Sequence, residues 1–361
     1  MGVGLYAPDH FVIRNLPRRG LEDPDSQSAG RQVPLSDSCV TVSRAAYCRK
    51  RSRKSMFVGH GLGAFALVAF LATVMGCSRE RAIRVGIIAG LFAFVPDVDI
   101  VYAPIGLLAR SIQTVSPDVF WGTANTIHRG ATHSLVVGAI LAAAVAAWNV
   151  PARRSRIVAV GGFLSIIAIG AVVDGLVNAG VLVVYVASGL GIGEWARRNG
   201  AATRWLFGAA LIGLVSHPFG DLFTGGPADF LYPFDVVLMT SRVALHPDPT
   251  AHLLAAFLLE LGTIWFAIFA YTRLQQIPIR GLLRPRAVAG SGYAAAVLVI
   301  PTPTIHTAPP FVFSILALAI VGVGIPTRPF NHHRRGETLV TGLAAVTAGA
   351  IAYAAAYGTL G

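Results

Sequence analysis

The chain has 361 residues, 54% of them hydrophobic and 13% charged, with a mean hydropathy of +0.64. So low a charge content excludes an ordinary soluble domain, where about a quarter of the residues are charged, and points to repeated passage through a membrane. The net charge of +12 comes without a basic-aromatic pattern, so no nucleic-acid partner is expected.

Residues 1–55 differ from everything after them. They hold prolines, glycines, acids and a basic cluster (Arg44, Arg49, Lys50, Arg51, Arg53, Lys54) without helical or strand periodicity. That is the composition of a disordered tail. Apolar sequence begins abruptly at Met56-Phe57-Val58, which suggests Met56 as the biological start. A signal peptide is the weaker reading, because the apolar stretch approaches full membrane length and cleavage would discard His60.

Ten apolar segments follow, at 57–76, 82–95, 133–150, 157–173, 176–192, 203–217, 251–272, 287–301, 311–325 and 338–359. The expected fold is all-α, a polytopic transmembrane bundle of about ten helices, the shorter ones tilted or re-entrant. Residues 56–235 carry the polar motifs, and 236–361 read as additional C-terminal membrane helices.

The motifs lie at the ends of these segments, where His and Asp are costly in hydrocarbon and ask for a function. His60 sits just inside the first. Pro96 lacks an N–H and restricts Val95, so the second segment should end near Phe94 and leave Asp97 and Asp99 in a turn or extended stretch. Two residues apart in extended backbone, both carboxylates would point one way and could share a metal; an Asx turn is the structural alternative. His128 and His133 are five apart, about 140° on one helix. The better arrangement has His128 in the loop and His133 in the first helical turn with Thr132 as N-cap. Arg129 between them suits an anionic substrate oxygen or an Asp of the site.

Asp174 and Asn178 follow as polar groups able to support a site. His217 and Asp221 have the i, i+4 spacing of one helix face, but Pro218 should break the helix at His217. Glu260 reads as a structural pair within the bundle. The three cysteines contain no CxxC pair, so a metal would rely on nitrogen and oxygen ligands.

Counting crossings from the first segment returns the chain to one face at Asp97 and Asp99, at His133 and at His217, the face where His60 starts. The opposite face carries sixteen arginines against Arg110, Arg129 and Arg242 on this one, residues 1–55 set aside. The positive-inside rule then makes the arginine-rich face cytoplasmic and turns the motifs outward; the ten Lys and Arg residues of the tail pull the other way.

Taken in order, Gly59-His60, Pro96-Asp97-Val98-Asp99, His128-Arg129-Gly130-Ala131-Thr132-His133-Ser134, Ser216-His217 with Asp221, and Leu231-Tyr232-Pro233 resemble the YdjM-like family of LexA-regulated membrane proteins, assigned as metal-dependent hydrolases. The stretch from His128 to Ser134 is the most specific element, and the resemblance covers about residues 56–235. It implies a membrane-embedded hydrolase using a divalent ion, zinc favoured, with manganese, iron or magnesium as alternatives. The expected ligands are His60, Asp97, Asp99, His128, His133, His217 and Asp221. Asp97 or Asp99 would act as catalytic base and Arg129 would bind substrate, with Thr132, Ser134, Asp174 and Asn178 behind the ligands. A more distant similarity to zinc-dependent phospholipase C-like helical enzymes suggests a phosphoester, and a site at the membrane face a lipid or lipid-linked substrate. The rival readings are a divalent-metal permease or sensor with the same ligands, and an inactive structural membrane protein.

Overall fold

The computed structural model describes residues 57–101, 129–226, 228–319 and 332–360, all within one compact unit. The expected tail and His128 lie outside these residues. Among the described residues all regular structure is helical. The α-helices are α1 (Phe57–Val74), α2 (Arg79–Ala93), α3 (Leu135–Asn149), α4 (Arg153–Val173), α5 (Leu176–Arg198), α6 (Thr203–Gly220), α7 (Pro249–Gln275), α8 (Pro309–Ala317) and α9 (His332–Leu360).

The ten expected crossings are not all met. Five described segments are long and apolar enough to span a bilayer: α4, α5, α6 extended to Phe223, α7, and α9 from Gly336. The apolar parts of α1 and α3 are shorter. α2 has 15 residues, about 22 Å, against a hydrocarbon core of about 30 Å. The segment expected at 287–301 forms a 3₁₀ helix, Pro285–Leu298, instead of an α-helix. This segment lies directly on α9, since a Cβ on Gly290 would overlap the backbone of Ala345, and Gly290 and Gly292 add little α propensity.

Small residues set the packing around α2. A Cβ on Gly86 or Gly90 would come within 2.8 Å of the carbonyls of Phe65 and Gly61 on α1. A Cβ on Gly213 of α6 would strike the Ala89 carbonyl on the other side of α2. Backbone contact this close gives the dispersion that replaces the hydrophobic effect between helices in lipid. α2 is therefore wedged between α1 and α6, and its C-terminal end emerges between theirs. The alanine-rich run in α3 packs in the same way, with Leu141, Ala142, Ala144, Val145 and Ala146 buried.

Two of the hydrophobic clusters among the described residues are larger than the rest. One joins α1 to α6 through residues such as Ile88, Phe92, Leu141, Leu182, Tyr185 and Leu214, with Tyr232. The other lies in the C-terminal third, where Tyr293, Phe311 and Tyr353 pack ring on ring with Leu254 and Ile315.

Candidate metal centre

α2 ends at Ala93 with Phe94 as C-cap, as the Pro96 restriction requires. Residues Pro96–Val101 then form a 3₁₀ helix, not an extended stretch. With 3.0 residues per turn, positions two apart diverge by about 120°. Asp97 and Asp99 thus face different neighbours, and they cannot act as the parallel pair expected from extended backbone.

Asp97 faces the histidines. Its Oδ1 lies 3.5 Å from His217 Nε2 and 3.9 Å from His133 Nε2. Asp221 closes the group, with Oδ1 3.3 Å from His60 Nε2 and Oδ2 3.5 Å from His133 Nε2. The imidazole of His217 lies between the other two, its ring centre 4.3 Å from that of His60 and 4.9 Å from that of His133. Two triads of possible ligand atoms, His60/His217/Asp221 and Asp97/His133/His217, each fall within 4.8 Å and share His217. Nitrogen and oxygen ligands about 2.0–2.2 Å from an ion stand about 3.3–3.6 Å apart at the tetrahedral angle, close to these separations.

Proton positions follow from the partners. His217 Nδ1 is 2.6 Å from the Ala93 carbonyl, which can only accept, so Nδ1 carries the proton. The buried Nε2 then presents a lone pair to the cluster and makes no hydrogen bond among the described residues. Thr132 Oγ1 donates to Asp99 Oδ2 at 2.8 Å, which leaves the hydroxyl oxygen to accept from His133 Nδ1–H at 3.0 Å. His133 Nε2 also faces the cluster. A hydrogen-bonded second ring nitrogen is the arrangement that fixes metal-ligating histidines. The donor set therefore fits a divalent ion. Charge agrees: among the described residues three carboxylates, Asp97, Asp99 and Asp221, face one guanidinium, Arg129, leaving two negative charges for a dication to balance.

Asp99 is fully buried and stands behind His133, 3.5 Å from Nδ1, outside both triads. Asp99→Asn should accordingly weaken metal affinity about 10- to 100-fold without abolishing binding, as loss of an outer hydrogen-bond partner does. Titration of the stripped protein with zinc measures it; complete loss of binding would make Asp99 a ligand.

Arg129 is 7% exposed and has φ of 74°, a left-handed conformation uncommon outside glycine. Its backbone N–H donates to Asp99 Oδ2, and its carbonyl accepts from Asp229 N–H at 3.1 Å. Nη2 lies 3.0 Å from Asp221 Oδ2, and Nη1 donates to the Gly226 carbonyl. Of the two expected uses of Arg129, these contacts display the pairing with a site aspartate. Burial lowers the guanidinium pKa, opposed first by the charge of Asp221 and then by those of Asp97 and Asp99.

Other expectations change in detail. Ser134, not Thr132, caps α3, accepting from Val136 N–H at 3.1 Å and Val137 N–H at 3.3 Å. The Ser134 hydroxyl donates to the Tyr232 carbonyl and so ties the 228–232 loop under the site. Thr132 is free of capping because it is engaged with Asp99. His133 ends a 3₁₀ turn, Ala131–His133, ahead of α3 instead of lying in its first turn. α6 continues through Pro218 to Gly220 instead of breaking at His217. So near the helix end Pro218 forfeits one backbone bond, and Asp221 N–H still reaches the His217 carbonyl, which preserves the i, i+4 pairing. Asp174 and Asn178 bond each other at 2.7 Å outside both triads, and burial, then Asp174, raises the pKa of the nearby Tyr232 phenol.

Three participants carried no signal readable in advance. Gly220 leaves room for the His60 ring and Gly225 for the Arg129 guanidinium, since a Cβ at either would overlap those groups. The Ala93 carbonyl acts through the backbone, which residue type does not reveal.

Residues 56–300 match the family described as YdjM inner membrane protein. No curated protein and no solved structure matches the chain.

Proposed function

Matched over well more than half its length, the chain belongs to the YdjM inner membrane protein family, and we propose that it is a membrane-embedded metal-dependent hydrolase. The observation that carries this reading is the buried convergence of His60, Asp97, His133, His217 and Asp221 with two histidines held in the ligating tautomer. One ion is proposed, because His217 has a single available nitrogen and belongs to both triads. Zinc is favoured by the histidine content, with manganese, iron or magnesium as alternatives. When bound, such an ion supplies Lewis-acid activation of water and of the scissile bond.

The chain's own residues divide the remaining work. His60, His133 and His217 present Nε2, and Asp221 is steadied by Arg129. Asp97, 12% exposed at its side chain, is the most accessible carboxylate of the group and the proposed proton acceptor. Asp99 holds His133 and Thr132 in register. A lipid or lipid-linked phosphoester is the proposed substrate class. After Tyr232 the chain at this end exposes Phe234, Val236, Val237 and Leu238, an apolar run suited to the lipid interface beside the site.

The test is purified protein assayed for bound metal and for hydrolysis of phosphoester and phospholipid panels, beside His133→Ala. Metal-dependent turnover lost in the variant is expected. Bound metal with no turnover on any panel, together with metal-dependent flux into liposomes, would replace the hydrolase by a permease.

The arginine bias supports an outward-facing site. In intact cells a membrane-impermeant maleimide should label Asp235→Cys and spare Arg154→Cys, both made in a Cys39→Ser/Cys48→Ser/Cys77→Ser background. The reverse pattern would turn the site to the cytoplasm.

A further inference from the structure

At the opposite end of the bundle two adjoining depressions meet at Ile87. One, of about 510 Å³, is mixed in character and lined by Arg79, Glu80, Ile83 and Arg84 of α2, Trp195 and Asn199 at the end of α5, and Leu274 and Gln275 at the end of α7. The other, of about 630 Å³, is apolar and runs between α1, α2, α7 and α9, lined by Leu62, Phe65, Tyr271, Leu339 and Val340 with Ile87. Both volumes lie in the range of roughly 300–1,000 Å³ typical of small-molecule sites. We propose that this pair is a binding site for one anionic phospholipid, its phosphate held by Arg79 and Arg84 and an acyl chain lying in the apolar groove.

Charge and position argue for that occupant. Arg79 opens α2, and at 1.5 Å per residue it lies about 21 Å and Arg84 about 14 Å along the helix from the site end. Arg79 and Arg84 are both exposed, and Arg84 is oriented by donating from Nη1 to the Asn199 carbonyl at 2.8 Å. The first N–H groups of α2 add positive potential at the same place, with Ser78 capping Arg81 N–H. Glu80 is the acid in the lining and is outnumbered by the two guanidiniums. Trp195, exposed at the rim, has the amphipathic ring found at headgroup level. An acyl chain alone would fill any apolar groove in a bilayer; a guanidinium pair at its mouth selects the lipid by headgroup charge. The inference is independent of the metal centre and of the reaction carried out there.

Full-length protein in nanodiscs with equal phosphatidylglycerol and phosphatidylcholine, released for native mass spectrometry, reads the retained lipid. Wild type should retain one phosphatidylglycerol in preference to phosphatidylcholine, and the preference should fall about tenfold or more in Arg79→Gln/Arg84→Gln. Arg79→Gln alone spares the Arg84 bond to Asn199 and should show part of the loss. Arg153→Gln/Arg154→Gln removes equal charge from exposed positions at the start of α4, outside both depressions, and should keep the preference. Helical content by circular dichroism confirms that each variant is folded. No preference in wild type, or equal loss in the α4 variant, would overturn the proposal and leave only diffuse attraction of a basic surface for anionic lipid.

Discussion

His217→Ala should leave the purified protein with almost no bound metal, against one ion per chain in the wild type, and should abolish metal-dependent hydrolysis. Among the described residues no other side chain belongs to both triads, and the ligating atom of His217 is determined, with Nδ1 committed to Ala93 and Nε2 buried toward Asp97. Removing the ring also opens a void where three imidazoles pack, so the two triads lose their common member and their spacer together. Elemental analysis beside a turnover assay checks this. The folded state of the variant is secured by helical content and by a parallel His246→Ala control, since His246 belongs to neither triad and its ring nitrogen accepts from Asp248 N–H. Retention of a full equivalent of metal by His217→Ala would remove the shared-ligand centre from consideration.

Arg129→Ala should produce the largest loss of stability of any single change at the site, about 3–5 kcal/mol, because it leaves the Asp221 carboxylate buried without its guanidinium. The two side chains are 7% and 6% exposed, so water offers little compensation. A bound divalent ion would share the neutralisation of Asp221, and the loss should therefore be greater after chelation than in metal-loaded protein. Arg129→Lys should recover only part of it, since an ammonium cannot span Asp221 and the Gly226 carbonyl as the planar fork does. Thermal unfolding of wild type and both variants, with and without chelator, measures these effects. An unchanged midpoint in chelated Arg129→Ala would show that the pair contributes nothing net.

How far the site could be read in advance differs residue by residue. His60, Asp97, His133, His217 and Asp221 were legible because polar groups that are costly in hydrocarbon recur at segment ends, and counting crossings brought those ends together. Asp99 was legible as a member of the site but not in its role. Its direction depended on whether residues 96–101 were extended or 3₁₀, and proline alone permits either. The continuation of α6 past Pro218 was likewise undecided locally, because the restriction before proline is a preference that packing of Gly213 against α2 overrides. Arg129 was legible as the partner of an anion, but which one depended on the 225–226 backbone and Asp221, which hold its fork.

Composition and periodicity alone established a helical membrane chain and the end of the bundle where its chemistry collects, since burial of apolar surface and exclusion of charge act through residue type and spacing. Which described helices are long enough to span, which His and Asp side chains converge, the tautomers of His133 and His217 and the pairing of Arg129 were decided only by the tertiary structure. Each depends on which atom of one element faces which atom of another, as when Gly213 lets α6 close on α2 and brings the Ala93 carbonyl to His217. No local pattern encodes such a meeting, because its partners lie more than a hundred residues apart in the chain.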